Sequence, residues 1–394
     1  PNNSPNGNQT NNPSSQLPAP SSQLPTPMTE TEALIALNQL PKTGPVKIRR
    51  LLERFGSAAE VLRQSPASLQ QVSGIGTEIA ALIADWENHS DPATEITLAR
   101  ERNITILTRE DPGYPAALQD AFDAPAILYL WGQLEEKDLH SVAIVGSRKM
   151  THYGRETARK FAFQLAGAGL TVVSGLARGI DTAAHEGAVA AKGRTIAVLG
   201  SGLMQLYPPE NLALAEKIAD GHGAIISEFP LRTPPDRQTF PQRNRIVAHW
   251  ARALLVVECP SRSGSLITAN LAAEAGRQIY AVPGPIDRPS SAGCHDLIRD
   301  GATLVTDGSH ILDDFSHLNF TTPKDTEPRP AETFLDLNEE ENKVMTALRE
   351  GDSSVDDIMA VTALPAHQVS VILMKLELRK LVITLPGQRF SRRC

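Results

Sequence analysis

The sequence predicts an α/β protein whose centre is a Rossmann-like, doubly wound and mainly parallel sheet. Between residues 141 and 314, short apolar runs alternate with helical runs, which is typical of parallel strands covered by helices on both faces. Residues 30–90 show only helical patterns, and residues 336–394 show three helical runs followed by a hairpin pattern. We therefore expect a small helical N-terminal domain and a winged-helix-like C-terminal domain beside the core.

The core is predicted to occupy residues 104–316. Its predicted strands are residues 142–145, 171–173, 195–199, 224–226, 253–257 and 278–282. Its predicted helices are residues 155–168, 181–191, 212–220, 243–249 and 265–274. Two earlier strand-like runs, 104–107 and 127–130, are interpreted as a lead-in to this domain.

The N-terminal region divides into a tail and a helical domain. Residues 1–29 are rich in Asn, Pro, Ser and Gln, and such a segment buries too little apolar surface to offset its ordering entropy, so we expect a disordered tail. Within residues 30–90, Gly74-Ile75-Gly76 joins two helical runs in the form of a helix-hairpin-helix or SAM-like domain. Its exposed amides favour a DNA phosphate, whereas the scarcity of flanking cations favours a bundle that only packs.

The C-terminal region begins with a linker. Residues 317–335 are polar and contain several prolines, and residues 336–394 then return to a helical pattern. Three helices with a hairpin around Pro386-Gly387 form a winged-helix arrangement. The third helix carries only Lys375, Arg379 and Lys380 as cations, so DNA reading and protein contact both remain open.

Composition narrows the function classes. The 394-residue chain has a net charge of −7, which disfavours nucleic-acid binding unless one face is locally basic. No apolar run approaches the ~20 residues of a membrane span, and no signal peptide is apparent, so we expect a cytoplasmic protein with no membrane partner. The three cysteines are scattered, and no metal-ligand cluster, GxGxxG or Walker A sequence occurs, so neither metal nor cofactor is expected.

The turns that follow the predicted strands contain the residues suited to binding phosphate. Ligands of doubly wound sheets bind beyond the carboxyl ends of the strands. Gly146-Ser147-Arg148 ends the first strand and offers a close backbone approach, free amides and a bidentate cation. Gly175 and Gly179 frame the next loop, which also contains Arg178, and Arg262-Ser263-Gly264-Ser265 opens a later helix as an anion site.

The pair Asp181 and His185 allows two interpretations. Acid–base catalysis would use both side chains, but no nucleophile completes such a set. We therefore predict that Asp181 is an N-cap and that His185 is a packed core histidine.

The segment from residue 230 to residue 252 is the most unusual in the chain. It contains Arg232, Arg237, Arg243, Arg245 and Arg252, with Asp236 as its only acidic residue. Phe240 and Asn244 lie among these arginines. Cations that follow phosphates, with an aromatic ring that stacks on a base, are typical of single-stranded nucleic-acid binding. The alternative is a loop whose arginines form salt bridges, although few acids lie nearby in sequence.

These motifs, taken together, resemble the DNA-processing protein A family (DprA, also called Smf). The resemblance extends from Tyr114 to about Phe315 and includes Tyr114-Pro115, the Gly146 and Gly175 turns, and the run from Phe240 to Val247. It also includes the run from Ser263 to Ala269, then Val282-Pro283-Gly284 and the run from Leu297 to Ala302. The helical N-terminal module and the winged-helix-like tail match the variable flanks of the family.

The resemblance implies a non-catalytic protein that binds single-stranded DNA, forms a homodimer through its Rossmann-like domain and loads a RecA-type recombinase during natural transformation. It also implies displacement of, or cooperation with, single-strand-binding protein. Arg148 matches the phosphate-gripping arginine of the family, Arg237 a basic position that contacts DNA and Phe240 a position that contacts a base, while Gly264 lines the same pocket.

Two other functions remain open from the sequence. A nucleotide-handling hydrolase with a Rossmann-like phosphate pocket would use Glu228 or Glu258, at strand ends, to polarise water. A scaffold that only binds partners would use the exposed-looking Leu297-Ile298 stretch, which also resembles the dimer and recombinase contact surface of the family.

Overall fold

The computed structural model describes residues 28–315, 337–348, 352–379, 381–385 and 387–392. The predicted linker and nearly all of the predicted N-terminal tail lie outside these ranges. The chain divides into two compact units, residues 1–93 and residues 94–394.

The first unit is helical, as predicted. Its helices are α1 (Glu30–Gln39), α2 (Pro45–Phe55), α3 (Ala58–Leu62), α4 (Pro66–Leu69) and α5 (Thr77–Ala84). The side chain of Thr29 caps α1 and Pro45 starts α2, both of which are standard ways to begin a helix. The helices bury a core that includes Leu37, Leu51 and Ile83.

The hairpin between α4 and α5 lies beside a cation from elsewhere in the unit. The side chain of Arg50, on α2, donates from Nη1 to the carbonyl of Ser73 at 3.1 Å. Arg50 lies 23 residues before Ser73, so it is not among the cations that flank the hairpin in sequence. DNA contact and packing alone therefore both remain open for this hairpin.

A nine-stranded sheet forms the centre of the second unit. Its strands are β1 (Ile104–Thr108), β2 (Ile127–Gly132), β3 (Ser141–Gly146), β4 (Thr171–Ser174), β5 (Thr195–Val198), β6 (Gly223–Ser227), β7 (Ala253–Val257), β8 (Gln278–Ala281) and β9 (Thr303–Leu304). Their order is β1-β2-β6-β5-β4-β3-β7-β8-β9. The pairs from β6 to β9 along this order are parallel, whereas β1–β2 and β2–β6 are antiparallel. The mainly parallel, doubly wound sheet is therefore confirmed.

Helices cover both faces of the sheet. They are α7 (Ala116–Gln119), α8 (His152–Gly167), α9 (Ile180–Ala190), α10 (Leu212–Lys217), α11 (Thr239–Trp250), α12 (Gly264–Glu274), α13 (Ala292–Arg299) and α14 (Gly308–Asp314). A further helix, α6 (Pro92–Glu101), begins at the end of the first unit. Successive β3 residues alternate between two cores: Ala143 and Val145 belong to one, and Val142 and Ile144 to the other. Strands buried on both faces explain the continuous apolar runs of the sequence.

The structure differs from the predicted elements at several points. The two lead-in runs are strands of the main sheet itself, because β2 pairs with β6 along Tyr129 to Gly132. Helix α11 begins at Thr239, which places Phe240 inside its first turn, and α10 ends at Lys217 before a π-helical turn. Helix α6 was not predicted.

The C-terminal region forms the predicted winged-helix arrangement. It comprises α15 (Glu339–Ala347), α16 (Val355–Thr362), α17 (Ala366–Leu378) and a small sheet of β10 (Ser353–Ser354), β11 (Val382–Leu385) and β12 (Arg389–Arg392). The core includes Val344, Ile358 and Leu376. Among the described residues, no single helix is long and apolar enough to cross a membrane; α16 and α17 pass that test only as a pair bent by 109°.

The exposed face of α17 is apolar. Val371, Met374 and Leu378 recur at helical spacing and are 52%, 65% and 77% exposed. A helix that reads base edges presents polar or basic side chains to the groove. This face therefore favours the protein-contact alternative over DNA reading.

Candidate functional site

A cleft of about 800 Å³ opens where the strand order of the sheet reverses. Strand β3 lies between β4 and β7, and the loops after these three strands meet the start of α11 at the cleft. This is the position at which doubly wound sheets bind ligands. The predicted site residues that line it are Gly146, Ser147, Arg148, Gly175, Arg237, Phe240, Arg243, Asn244, Arg262, Ser263, Gly264 and Ser265.

The loop after β3 is fixed by backbone contacts. The amide of Ser147 donates to the Glu258 carbonyl at 2.8 Å, and the Ser147 carbonyl accepts from the amide of Ile180 at 3.1 Å. A Cβ at Gly146 would lie 1.9 Å from the Val257 carbonyl oxygen, so only glycine fits there. These contacts hold the exposed Arg148 side chain at the cleft.

Two arginines and two aromatic rings form a continuous row of contacts. The guanidinium carbon of Arg148 lies 4.8 Å from the centroid of the Phe240 ring. The Phe240 and Tyr207 centroids are 5.9 Å apart and the ring planes are inclined by 55°. Arg178 lies over Tyr207 at 5.6 Å. Cations and aromatic faces are thus brought together, which is the combination that suits phosphates and bases.

Arg243 and Asp181 form the buried part of the cleft wall. Arg243 is 3% exposed and donates from Nη1 to the Val198 carbonyl at 2.7 Å, while its Nε has no hydrogen-bond partner. Burial lowers the pKa of Arg243 to about 10, so it stays charged at neutral pH. Burial raises the pKa of Asp181, although the nearby Arg243 opposes that shift. Arg243 therefore supplies a poorly solvated positive charge to the cleft.

The start of α12 forms the opposite wall. The Ser263 side chain accepts from the Ser265 amide at 3.2 Å and caps the helix, while Asn244 lies within 3.4 Å of the Gly264 carbonyl. The positive end of the dipole of this eleven-residue helix adds to the nearby Arg262.

The cleft is locally basic in an acidic chain. Its lining cations are Arg148, Lys149, Arg237, Arg243 and Arg262, and its lining carboxylates are Asp181 and Asp236. The net charge of −7 therefore does not describe this surface. Among the described residues, no cluster of His, Cys, Asp or Glu could hold a metal ion.

Two predicted site residues lie outside the cleft lining. Arg178 pairs with Glu210, with Nη2 3.2 Å from Oε2. Arg245 is buried and pairs with Glu228, with Asp123 as a second, more distant partner. Both arginines are paired with acids far away in sequence, and the structure brings neither to the cleft lining. The salt-bridge alternative given for the arginines of residues 230–252 therefore describes Arg245.

The Asp181–His185 pair is not an acid–base couple. His185 is fully buried and its Nδ1 lies 2.7 Å from the Thr195 hydroxyl, as expected of a packed histidine. The N-cap prediction for Asp181 is wrong, because α9 already begins at Ile180. The Asp181 carboxylate instead accepts from the amides of Gly175 and Ala177 at 3.1 and 3.4 Å and closes the preceding loop.

The cleft also contains residues that the sequence reasoning missed. Lys149 follows Arg148 directly and adds a cation, and Tyr207 adds a second ring. Lys149 could have been predicted as a site residue, because it directly follows Arg148 in the sequence. Nothing in the local sequence of Tyr207 indicates its approach to Phe240, which lies 33 residues later.

The carboxylates of the hydrolase alternative are used elsewhere. The Glu258 side chain accepts from the Thr151 amide at 2.8 Å, and Glu228 pairs with Arg245. Neither glutamate lines the cleft. The structure therefore places neither of the two glutamates named for that alternative beside the phosphate-binding turns.

Comparison with known proteins matches each region of the chain. The sequence model described as DNA recombination-mediator protein A matches residues 105–316, the DprA winged helix domain residues 325–388, and a SAM-like helix-hairpin-helix tandem residues 34–85. Protein Smf of Synechocystis sp. is 35% identical over 390 residues, covering 91% of this chain and 98% of the relative. This chain belongs to the DprA/Smf family.

Other DprA/Smf proteins support the assignment. Protein Smf of Escherichia coli is 37% identical over 297 residues, covering 74% of this chain and 79% of the relative. The X-ray structure of DNA processing protein A from Streptococcus pneumoniae superposes with a TM-score of 0.62 at 34% identity, covering 73% of this chain and 99% of that chain. The chain is thus a recombination mediator of the DprA/Smf family in sequence and in fold.

Proposed function

We propose that the cleft binds single-stranded DNA and that this protein loads a RecA-type recombinase onto the bound strand during natural transformation. The observation that carries the proposal is the contact between Arg148 and Phe240, at 4.8 Å, inside a cleft lined by five cations. Cations of this kind attract phosphates, and an aromatic ring gives an unpaired base a surface on which to stack. The proposal involves no catalytic step, cofactor or metal.

Several of the predicted residues take distinct parts in this proposal. Arg148, Lys149, Arg237 and Arg262 are exposed and are proposed to bind phosphates, together with the amides at the start of α12. Phe240 is proposed to stack on a base. Arg243 is proposed to act as a buried positive charge in the cleft wall that attracts the DNA backbone.

A binding titration tests this function. We expect the full chain to bind a fluorescent oligo-dT strand much more tightly than a duplex of equal length, with an affinity that falls as salt rises. Arg148→Ala and Arg237→Ala should each weaken single-strand binding, whereas Arg102→Gln, which removes an exposed arginine outside the cleft lining, should not. Equal fluorescence anisotropy titrations of wild type and both cleft variants would rule out this cleft as the DNA site.

The dimer and recombinase surface is proposed to include Leu297 and Ile298 on α13. Both side chains are only partly buried and pack against the sheet core from its surface. Leu304, on the short edge strand β9, is 48% exposed. We propose that a second copy or the recombinase covers this surface in the cytoplasm, where single-strand-binding protein would be displaced from the DNA.

Sedimentation velocity tests that surface. We expect Leu297→Glu to shift a dimer towards monomer, while a far-UV circular dichroism spectrum shows that the fold is retained. Leu304→Glu is the companion variant, because its exposure makes a folding defect less of a concern. Dimers unchanged in both variants would count against α13 and β9 as the interface.

A further inference from the structure

We propose that Tyr207 is a second base-stacking residue, and that the angle between Tyr207 and Phe240 makes the cleft select unpaired strands. The inference rests on the proposed single-stranded DNA function and adds to it a residue that determines specificity. The Tyr207 side chain lines the cleft, although it belongs to the loop after β5 and not to any of the predicted phosphate-binding turns.

The geometry of the two rings carries the inference. Their centroids are 5.9 Å apart and their planes are inclined by 55°. In a duplex, successive bases are parallel and about 3.4 Å apart along the axis. Two neighbouring bases of a duplex therefore cannot both stack on these rings, because the bases are parallel and the ring planes are inclined by 55°. An unpaired strand can turn between one base and the next, and so it can use both rings.

The side chains around Tyr207 hold its ring in place. Arg178 covers one face at 5.6 Å and is itself fixed by Glu210, with Nη2 to Oε2 at 3.2 Å. Arg178 also approaches the Tyr207 hydroxyl at 3.5 Å. The base would stack on the ring face that Arg178 does not cover. Arg178 is thereby assigned a positioning role, because it holds the Tyr207 ring. Its own guanidinium is paired with Glu210 and is not proposed to bind a phosphate.

The two rings also occupy the path between cations. Arg148 lies over Phe240 at one end of the row, and Arg178 lies over Tyr207 at the other. A strand that enters at the Gly146–Arg148 turn and passes Phe240 reaches Tyr207 next. The row therefore offers a phosphate contact at Arg148 followed by two neighbouring rings on which successive unpaired bases can stack.

Affinity ratios test the inference. Tyr207→Leu should weaken oligo-dT binding by about 5- to 150-fold, the cost of one lost base stack, and leave duplex binding unchanged. Tyr207→Phe keeps the ring and should bind as wild type does. The slope of log affinity against log salt should not change in Tyr207→Leu, since no phosphate contact is removed.

Photo-crosslinking tests the same point without any variant. A strand containing 5-iodouracil crosslinks to aromatic side chains on which its bases stack, and we expect crosslinked peptides that contain Tyr207 as well as Phe240. Crosslinks at Phe240 alone, with unchanged affinity in Tyr207→Leu, would overturn the inference and leave the proposed function standing. If Arg148→Ala and Phe240→Leu also bound oligo-dT with the affinity of wild type, the proposed function itself would be overturned.

Discussion

The guanidinium of Arg148 lies over the ring of Phe240, with 4.8 Å between the guanidinium carbon and the ring centroid. The residue proposed to bind a phosphate and the residue proposed to stack on a base are thus in contact with each other. A base that stacks on the ring face now covered by Arg148 has to displace that side chain, and a phosphate provides the new partner for it. Phosphate binding and base stacking are therefore expected to occur together.

Substitutions of Arg148 and Phe240 should nevertheless change DNA binding in different ways. Arg148→Gln removes a phosphate contact, so the slope of log affinity against log salt should decrease in magnitude by about 0.7. Phe240→Leu removes a stacking surface, so affinity should fall by about 1–3 kcal/mol with the salt slope unchanged. Anisotropy titrations at several salt concentrations measure both quantities. Identical salt slopes in the two variants would argue against this division of roles.

The fit between Gly175 and Arg243 predicts a stability effect. A Cβ at position 175 would lie 1.6 Å from Nη1 of Arg243, a buried side chain that cannot easily move aside. Gly175→Ala should therefore lower the free energy of unfolding by about 1–3 kcal/mol, measured by urea denaturation. Gly264→Ala is the matched control in the same cleft, because a Cβ there meets nothing within 4 Å, and its stability should be close to that of wild type.

The burial of His185 predicts a pH dependence of stability. Burial lowers the pKa of His185 to about 3, so the folded protein keeps this side chain neutral. In the unfolded chain, this histidine takes up a proton as the pH falls below about 6.5. The free energy of unfolding therefore decreases from that pH down to about pH 3. Each pH unit in that window should cost about 1.4 kcal/mol at this residue.

Urea denaturation between pH 7.5 and pH 5 tests that dependence. Acidic side chains also titrate in this range, and Asp181 and Glu228, whose pKa values are raised by burial, contribute with the opposite sign. The informative quantity is therefore the difference between wild type and His185→Gln, which should shrink as the pH falls. A difference that does not vary with pH would contradict a neutral, buried His185.

The buried pair of Arg245 and Glu228 predicts a structural role for Arg245. Arg245→Met leaves the Glu228 carboxylate without its ion-pair partner and should destabilise the fold by about 3 kcal/mol. The double variant Arg245→Met with Glu228→Leu should recover most of that loss, because both charges are then removed. Thermal unfolding measures stability, and oligo-dT affinity of the folded variants should match wild type. If the double variant were stable but bound DNA more weakly than wild type, Arg245 would have to be counted among the DNA-binding residues.

The sequence predicted the central sheet well because its strands carry a strong local signal. Each parallel strand is buried on both faces, so it appears as a short apolar run between turn residues, and β7 was predicted with its observed bounds. The place of β1 and β2 was not predictable in this way. Their strand character is local, but β2 pairs with β6 almost a hundred residues later, and local periodicity contains no information about such a partner.

The site shows the same division between local and long-range information. The glycines and cations of the cleft were predicted because strand-end turns are recognisable and because such turns meet at one edge of a parallel sheet. Arg178 and Arg245 lie outside the cleft lining and pair with Glu210 and Glu228, which are 32 and 17 residues away in sequence. Within residues 230–252, counting acids nearby in sequence therefore overstated the number of arginines that line the cleft, because Arg245 pairs with Glu228. Tyr207 was missed for the same physical reason.

The antiparallel strands β1 and β2 also determine where a shortened form of this protein can begin. Strand β6 is buried along its whole length, and β2 satisfies the hydrogen bonds on its outer side. A fragment that starts at the first parallel strand would leave those amides and carbonyls open, and an uncovered strand of this kind pairs readily with other chains. A soluble version of the core for crystallisation with DNA should therefore start before residue 104.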